Sequence, residues 1–282
     1  MNSQKIKKGQ AIKKKNINKK NINKKIENKG KSKKSIKKNN ILKNIFKILL
    51  LVIIVAGIIS FMLISPIFNI KNIEVINNKK ISQETIVSLS NISTGQNIFE
   101  FNKKEVIINI KQNAYVEDVK ISRNMPDTIK IKIVESMPKY SIEIVGKYAY
   151  IDIQGNILEI SDNPNNMIIL KGVETEESNI LPNNRLNQND LKKLEDVLKI
   201  TNSAKQNNIE EKITSIDISD NKNYKISINS ENKEIYFGDC TNVQEKMIYT
   251  IAILEQEKGK SGEIYVNGNF NEGFNAYFRE KL

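Results

Sequence analysis

Three carboxylate pairs (Glu117-Asp118, Glu176-Glu177, Glu210-Glu211), a short run of oxygen donors and one thiol are the groupings that invite a chemical reading in this 282-residue chain. Two carboxylates facing each other across a cleft can hydrolyse a glycosidic bond. Sequence neighbours do not face each other, and such pairs more often lie on solvated turns and helix starts. Asp217, Ser219 and Asn221 begin like a calcium loop, but Lys222 fills the position that needs glycine and Ile228 the one that needs a bidentate acid. The chain has no histidine, which removes Ser-His-Asp and Cys-His nucleophile pairs and the commonest zinc ligand. No GxGxxG or Walker-type loop occurs. The residues therefore predict a non-enzyme with no cofactor, no metal and no small-molecule substrate. The single cysteine, Cys240, rules out an internal disulfide. It reads either as a functional thiol or, more ordinarily, as a small residue in the turn 238–241.

Chemistry being sparse, the elements carry the information. Residues 48–64 hold no charge, and an apolar helix of that length covers ~26 Å, with Ile67 and Phe68 extending the run beyond Ser65-Pro66. The 47 residues before it contain 18 lysines and one acid, Glu27, a charge of +17. The remaining 27 basic and 31 acidic residues give −4, so the overall +13 belongs entirely to the tail. Lysine excess marks the cytoplasmic flank of a span. The expectation is a disordered cytoplasmic tail over 1–44, a transmembrane helix over 45–66 and the bulk of the chain outside. A cleaved secretory signal fits less well, because the apolar run is long and no small-x-small site follows. Lys43, Phe46, Lys47 and Phe68 are the candidate membrane-anchor residues. The tail suits anionic inner-leaflet lipids, whereas nucleic-acid binding is not expected without arginine and aromatics.

Residues 68–136 read as strand, helix, helix, strand, strand. Ser82 is a candidate N-cap, with Ile81 and Ile86 as its staple. Asn102 and Glu105 fit a capping box, with Phe101 and Val106 as the staple. Ile129, Ile131 and Ile133 alternate with Lys130 and Lys132 over 128–135, as in a half-buried strand. Residues 137–282 carry strand signals at 141–145, 147–153, 156–160, 167–170, 213–218, 225–230, 234–237, 263–266 and 274–278. Helical stripes interrupt them at 189–203 and 242–257. The fold class is α+β: a βααββ unit, then a mixed β domain with two packed helices.

The order of these parts resembles the FtsQ/DivIB family of bacterial cell-division proteins. Residues 68–75 (FNIKNIEV) are similar to the first strand of that family's POTRA domain, and 94–99 (TGQNIF) to its interhelix phrase. Residues 114–129 (AYVEDVKISRNMPDTI), 133–138 (IVESMP) and 150–155 (YIDIQG) are similar to later phrases. Each is weak alone, but their shared order is specific. Two departures stand out: Ser136 replaces a favoured basic residue, and Tyr265 in GEIYV stands where the family often has aspartate.

The resemblance implies a non-enzymatic divisome scaffold at the division septum. It would bind single-span coiled-coil proteins of the FtsB/DivIC and FtsL kinds by addition of a partner strand to the last strands of the β domain. Phe274, Ala276, Tyr277 and Phe278 would then bind the partner. Tyr277 and Phe278 read equally well as hot spots or as core residues of a terminal strand. A second reading of the same layout is an envelope-sensing regulator with the tail as its effector.

Overall fold

The structure, a computed structural model, describes residues 19–268 and 274–281, with side chains from residue 40 onward. It divides into two compact units, one ending at Ser65 and one beginning at Pro66.

The first unit contains a single described helix, α1 (Lys19–Ile64). Its stretch Asn40–Ile64 has a mean hydropathy of 2.9, long and apolar enough to cross a membrane. The helix stops where Pro66 removes a backbone donor and pushes the preceding residue out of the helical region. The transmembrane helix expected over 45–66 is thus part of a longer helix that begins at Lys19 and ends at Ile64. Adding a residue to a formed helix fixes one backbone pair per hydrogen bond gained, so a helix nucleated by the apolar span runs back into lysine-rich sequence. The remainder of the expected disordered tail, 1–18, lies outside the described residues.

The second unit opens with β1 (Asn72–Ile76), α2 (Gln83–Ser90), α3 (Lys103–Ile110), β2 (Val116–Asn124) and β3 (Thr128–Glu135). The sheet order is β1-β3-β2, with β1 parallel and β2 antiparallel to β3. The Ser82 cap forms as read, its hydroxyl accepting from the Thr85 amide; Asn102 also caps its helix, but its side chain accepts from the Lys104 amide rather than from the Glu105 amide of a capping box. Ile129, Ile131 and Ile133 are fully buried beneath Ile86, Ile98 and Ile110 of the helical layer. Arg123 fastens β2 to the helices, donating from Nε to the Ile98 carbonyl at 2.7 Å and placing its guanidinium 4.4 Å from the Phe101 ring centre. The Glu135 carboxylate accepts the backbone amides of Lys79, Lys80 and Ile81, which fixes the loop before α2.

The rest of the chain builds one nine-stranded sheet. Its members are β4 (Tyr140–Ile144), β5 (Lys147–Ile151), β6 (Ile157–Ser161), β7 (Ile168–Lys171), β8 (Ser215–Asp217), β9 (Tyr224–Ile228), β10 (Lys233–Gly238), β11 (Gly262–Tyr265) and β12 (Tyr277–Glu280). Their order is β12-β11-β10-β9-β8-β7-β4-β5-β6. Helices α4 (Gln188–Gln206) and α5 (Val243–Gln256) cover one face, where Leu194, Val197, Ile200, Met247 and Leu254 share a core with Ile142, Ile226, Ile235 and Ile264. Alternation leaves the opposite face of β9 to β12 half-exposed and polar or aromatic.

The β6 end of this sheet is covered at its first residue. Residues 183–186 pair with Gly155 and Ile157 through three backbone hydrogen bonds of 2.9–3.0 Å, which bridge Asn156 and Arg185. Leu158, on β6, is 3% exposed inside the core of the βααββ unit, and its neighbour Glu159 accepts from the Tyr115 hydroxyl. The sheet's other end, β12, has no strand beyond it among the described residues.

Candidate partner-binding edge

Strand β12 pairs antiparallel with β11: Tyr277 opposite Tyr265, Phe278 opposite Ile264, Arg279 opposite Glu263 and Glu280 opposite Gly262. The expected terminal strand over 274–278 is therefore shifted toward the C-terminus. Phe274 and Ala276 precede the strand and pack, half-buried, against the core, with the Phe274 ring 5.0 Å from that of Tyr249. Gly262 makes the close docking possible. A Cβ there would lie 2.6 Å from Phe278 Cζ and against the Arg279 backbone oxygen, so a larger residue would push β12 away.

Alternation divides the two aromatic candidates between the two faces. Phe278 follows Ile264 into the core. Tyr277 points to the opposite face and is 49% exposed. There it joins a row set by register. Tyr236 on β10 opposes Tyr265 on β11, and Tyr265 opposes Tyr277 on β12. The three rings stack at centroid spacings of 4.6 and 4.7 Å, nearly parallel. The Lys225 ammonium lies 5.3 Å from the Tyr236 centroid, and the Arg279 guanidinium lies 5.3 Å from that of Tyr265.

A charged row runs beside the rings. The Tyr265 hydroxyl donates to Glu263 at 2.7 Å, and Arg279 is ion-paired to the same carboxylate. The Tyr265 hydrogen bond and then the arginine hold the Glu263 carboxyl below its ordinary range, while that carboxylate pushes the Tyr265 phenol up to about 12. Across the physiological range the pair is one phenol and one carboxylate, so the edge keeps a fixed pattern of donors and acceptors. The sequence marked Tyr265 as a departure but could not show that long-range register stacks it between two other tyrosines.

The anchor candidates separate. Lys43, Phe46 and Lys47 lie exposed on α1, with Phe46 at 67%. Phe68 differs from them: it is half-buried, its ring 5.5 Å from Phe99, against the core of the βααββ unit, where the chain turns at residues 66–68. The acid pairs have structural partners: Asp118 with Lys111, Glu210 with Lys139, and Glu177 with the Val145 amide. Asp217 accepts the Ser219 amide and closes a local turn. Cys240 is half-buried with its thiol toward the Asp196 carbonyl, and burial pushes that thiol up to about 12.

Residues 68–136 match the model of the POTRA domain, FtsQ-type, and residues 140–264 match that of the FtsQ/DivIB C-terminal related domain. A POTRA domain of that type, behind a helix able to cross a membrane and followed by this sheet, defines a class of membrane-anchored proteins of bacterial cell division. Cell division protein DivIB of Clostridium tetani is 34% identical over 73% of this chain and 77% of its own length. The DivIB protein of Clostridium botulinum strain Hall is 31% identical over 83% and 91%, and that of Clostridium acetobutylicum 31% over 73% and 81%. The chain belongs to the DivIB/FtsQ family of cell division proteins.

Proposed function

We propose that this protein is a non-enzymatic scaffold of the division machinery that binds single-span coiled-coil proteins of the FtsB/DivIC and FtsL kinds by accepting a partner strand at β12. The observation that supports this reading is the position of β12, a short strand at the end of a nine-stranded sheet with its outer edge unpaired among the described residues. Unpaired backbone groups along such an edge supply affinity, and alternate side chains supply selectivity. Lysine asymmetry supports a cytoplasmic N-terminus with the POTRA and β domains outside, and the tail then lies near anionic inner-leaflet headgroups.

The test uses the full chain in its host. Removing residues 277–282 should abolish co-purification of the coiled-coil partner and disperse a fluorescent fusion from mid-cell, with membrane insertion unchanged. Partner recovery undiminished by the deletion would end the strand-addition reading. Uniform membrane distribution of the intact fusion in dividing cells would end the scaffold reading.

A further inference from the structure

On the open face of the sheet one row of residues crosses six strands in register: Lys171, Asp217, Lys225, Tyr236, Tyr265 and Tyr277. At one end of its aromatic part the Lys225 ammonium covers the outer ring face of Tyr236. At the other end Tyr277 stacks on Tyr265 through one ring face, so its second face is directed away from β11, toward the free edge, and the residue is 49% exposed. Adjacent strands lie about 4.8 Å apart. The observed ring spacings of 4.6 and 4.7 Å show that this row stacks at that repeat. A strand added beside β12 must place one side chain opposite Tyr277 on this face, at the same spacing.

We infer that the partner strand carries a planar side chain, aromatic or arginine, opposite Tyr277, and that this position continues the tyrosine stack and sets which strand is accepted. The inference rests on strand addition at β12. A ring or guanidinium meets the exposed π face over its whole area, whereas an aliphatic chain covers it in part and a carboxylate meets its negative quadrupole. The stack depends on Tyr265, the residue that departs from the family phrase, so the preference belongs to this chain's own register rather than to strand addition in general.

The experiment places the photo-crosslinking residue benzoylphenylalanine at 277, and separately at 279, in the full chain in its host, and maps the captured partner residue by mass spectrometry. The expected result is a cross-link from 277 to a partner tyrosine, phenylalanine, tryptophan or arginine, or to its immediate neighbour. With the captured partner, Tyr277→Phe should bind within about twofold of the wild type and Tyr277→Leu about fivefold more weakly. Changing the mapped partner residue to leucine, which cannot unfold this chain, should weaken binding by a similar factor and should have no further effect on the Tyr277→Leu variant. An aliphatic or acidic partner residue at that position, or equal affinity of the phenylalanine and leucine variants, overturns the inference and leaves strand addition standing. No cross-link to a partner from either position overturns both.

Discussion

Tyr115 donates its hydroxyl hydrogen to Glu159 at 2.6 Å, joining the end of the POTRA helical layer to strand β6 of the C-terminal sheet. Lys80 reaches the same carboxylate at 3.1 Å and also lies 4.8 Å from the Tyr115 ring centre. The two domains therefore meet at a hydrogen-bonded carboxylate set beside a buried leucine, Leu158, with further bonds from Gln154 to Glu117 and from Asn183 to the Gln112 carbonyl. The tyrosine hydrogen bond, then Lys80, holds the Glu159 carboxyl below its ordinary range. A depressed carboxylate stabilises the fold above its unfolded-state pKa, and that contribution fades as pH falls through the folded value. Glu159→Gln should cost about 1 kcal/mol at neutral pH. The difference from the wild type should narrow below about pH 4, where both carry a neutral group. Thermal unfolding of the full chain in detergent across this range measures it, and a constant difference would contradict the assignment.

Asp190 sits in the first turn of α4 with no exposed surface. It accepts the amides of Glu174 and Thr175 and the Thr175 hydroxyl, at 2.6–3.0 Å. It therefore pins the loop after β7 to the start of the helix. Asp190→Asn turns an amide donor toward groups that are themselves donors. We expect a loss of about 3 kcal/mol. For a domain of this size that lowers Tm by roughly 6–12 °C, which calorimetry would read directly.

Gly262 is the position at which the edge can be loosened without touching it. Gly262→Ala should weaken the docking of β12 by about 2 kcal/mol through overpacking against Phe278 and the Arg279 carbonyl. Amide exchange in residues 277–280 should accelerate roughly 30-fold, while β9 and β10 stay protected. Unchanged exchange in those residues would show that β11 and β12 tolerate the extra methyl.

Burial raises the Cys240 thiol to about 12, so only about one thiol in ten thousand is ionised at pH 8. Iodoacetamide should modify the folded chain roughly a thousandfold more slowly than the chain in urea. Equal rates would reinstate a reactive thiol. The ordinary reading of this cysteine, a small residue in a turn, is the one this geometry supports.

Local chemistry made the POTRA unit legible. Ser82 and Asn102 announced helix starts because caps act within three residues, and the alternation at 128–135 named β3 with its observed bounds. The apolar pattern places the terminal strand at 274–278, whereas it runs Tyr277–Glu280. Phe274 and Ala276 supply the apolar signal, whereas the strand itself ends in Arg279 and Glu280, charges of a kind that blunt an exposed edge. What depends on distant pairing was hidden. Tyr236, Tyr265 and Tyr277 lie on three strands whose register no local pattern encodes. Lys233 and Lys246 look like surface lysines in the sequence, yet both are buried beside Glu231 and Asp239. Asp190 resembles any acid in a helical first turn, and its true partners arrive from the other side of the sheet connection.

The two ends of this sheet are unlike: Ile157, the first residue of β6, is bonded to residues 183 and 184, whereas β12 has no strand beyond it among the described residues. Two open edges would let copies join side by side without limit, as a monomer with two reactive ends forms a polymer. Residues 183–186 and the POTRA unit obstruct the start of β6, which biases strand pairing toward β12. That asymmetry disfavours runaway edge-to-edge association of copies and leaves the β12 edge for an occupant.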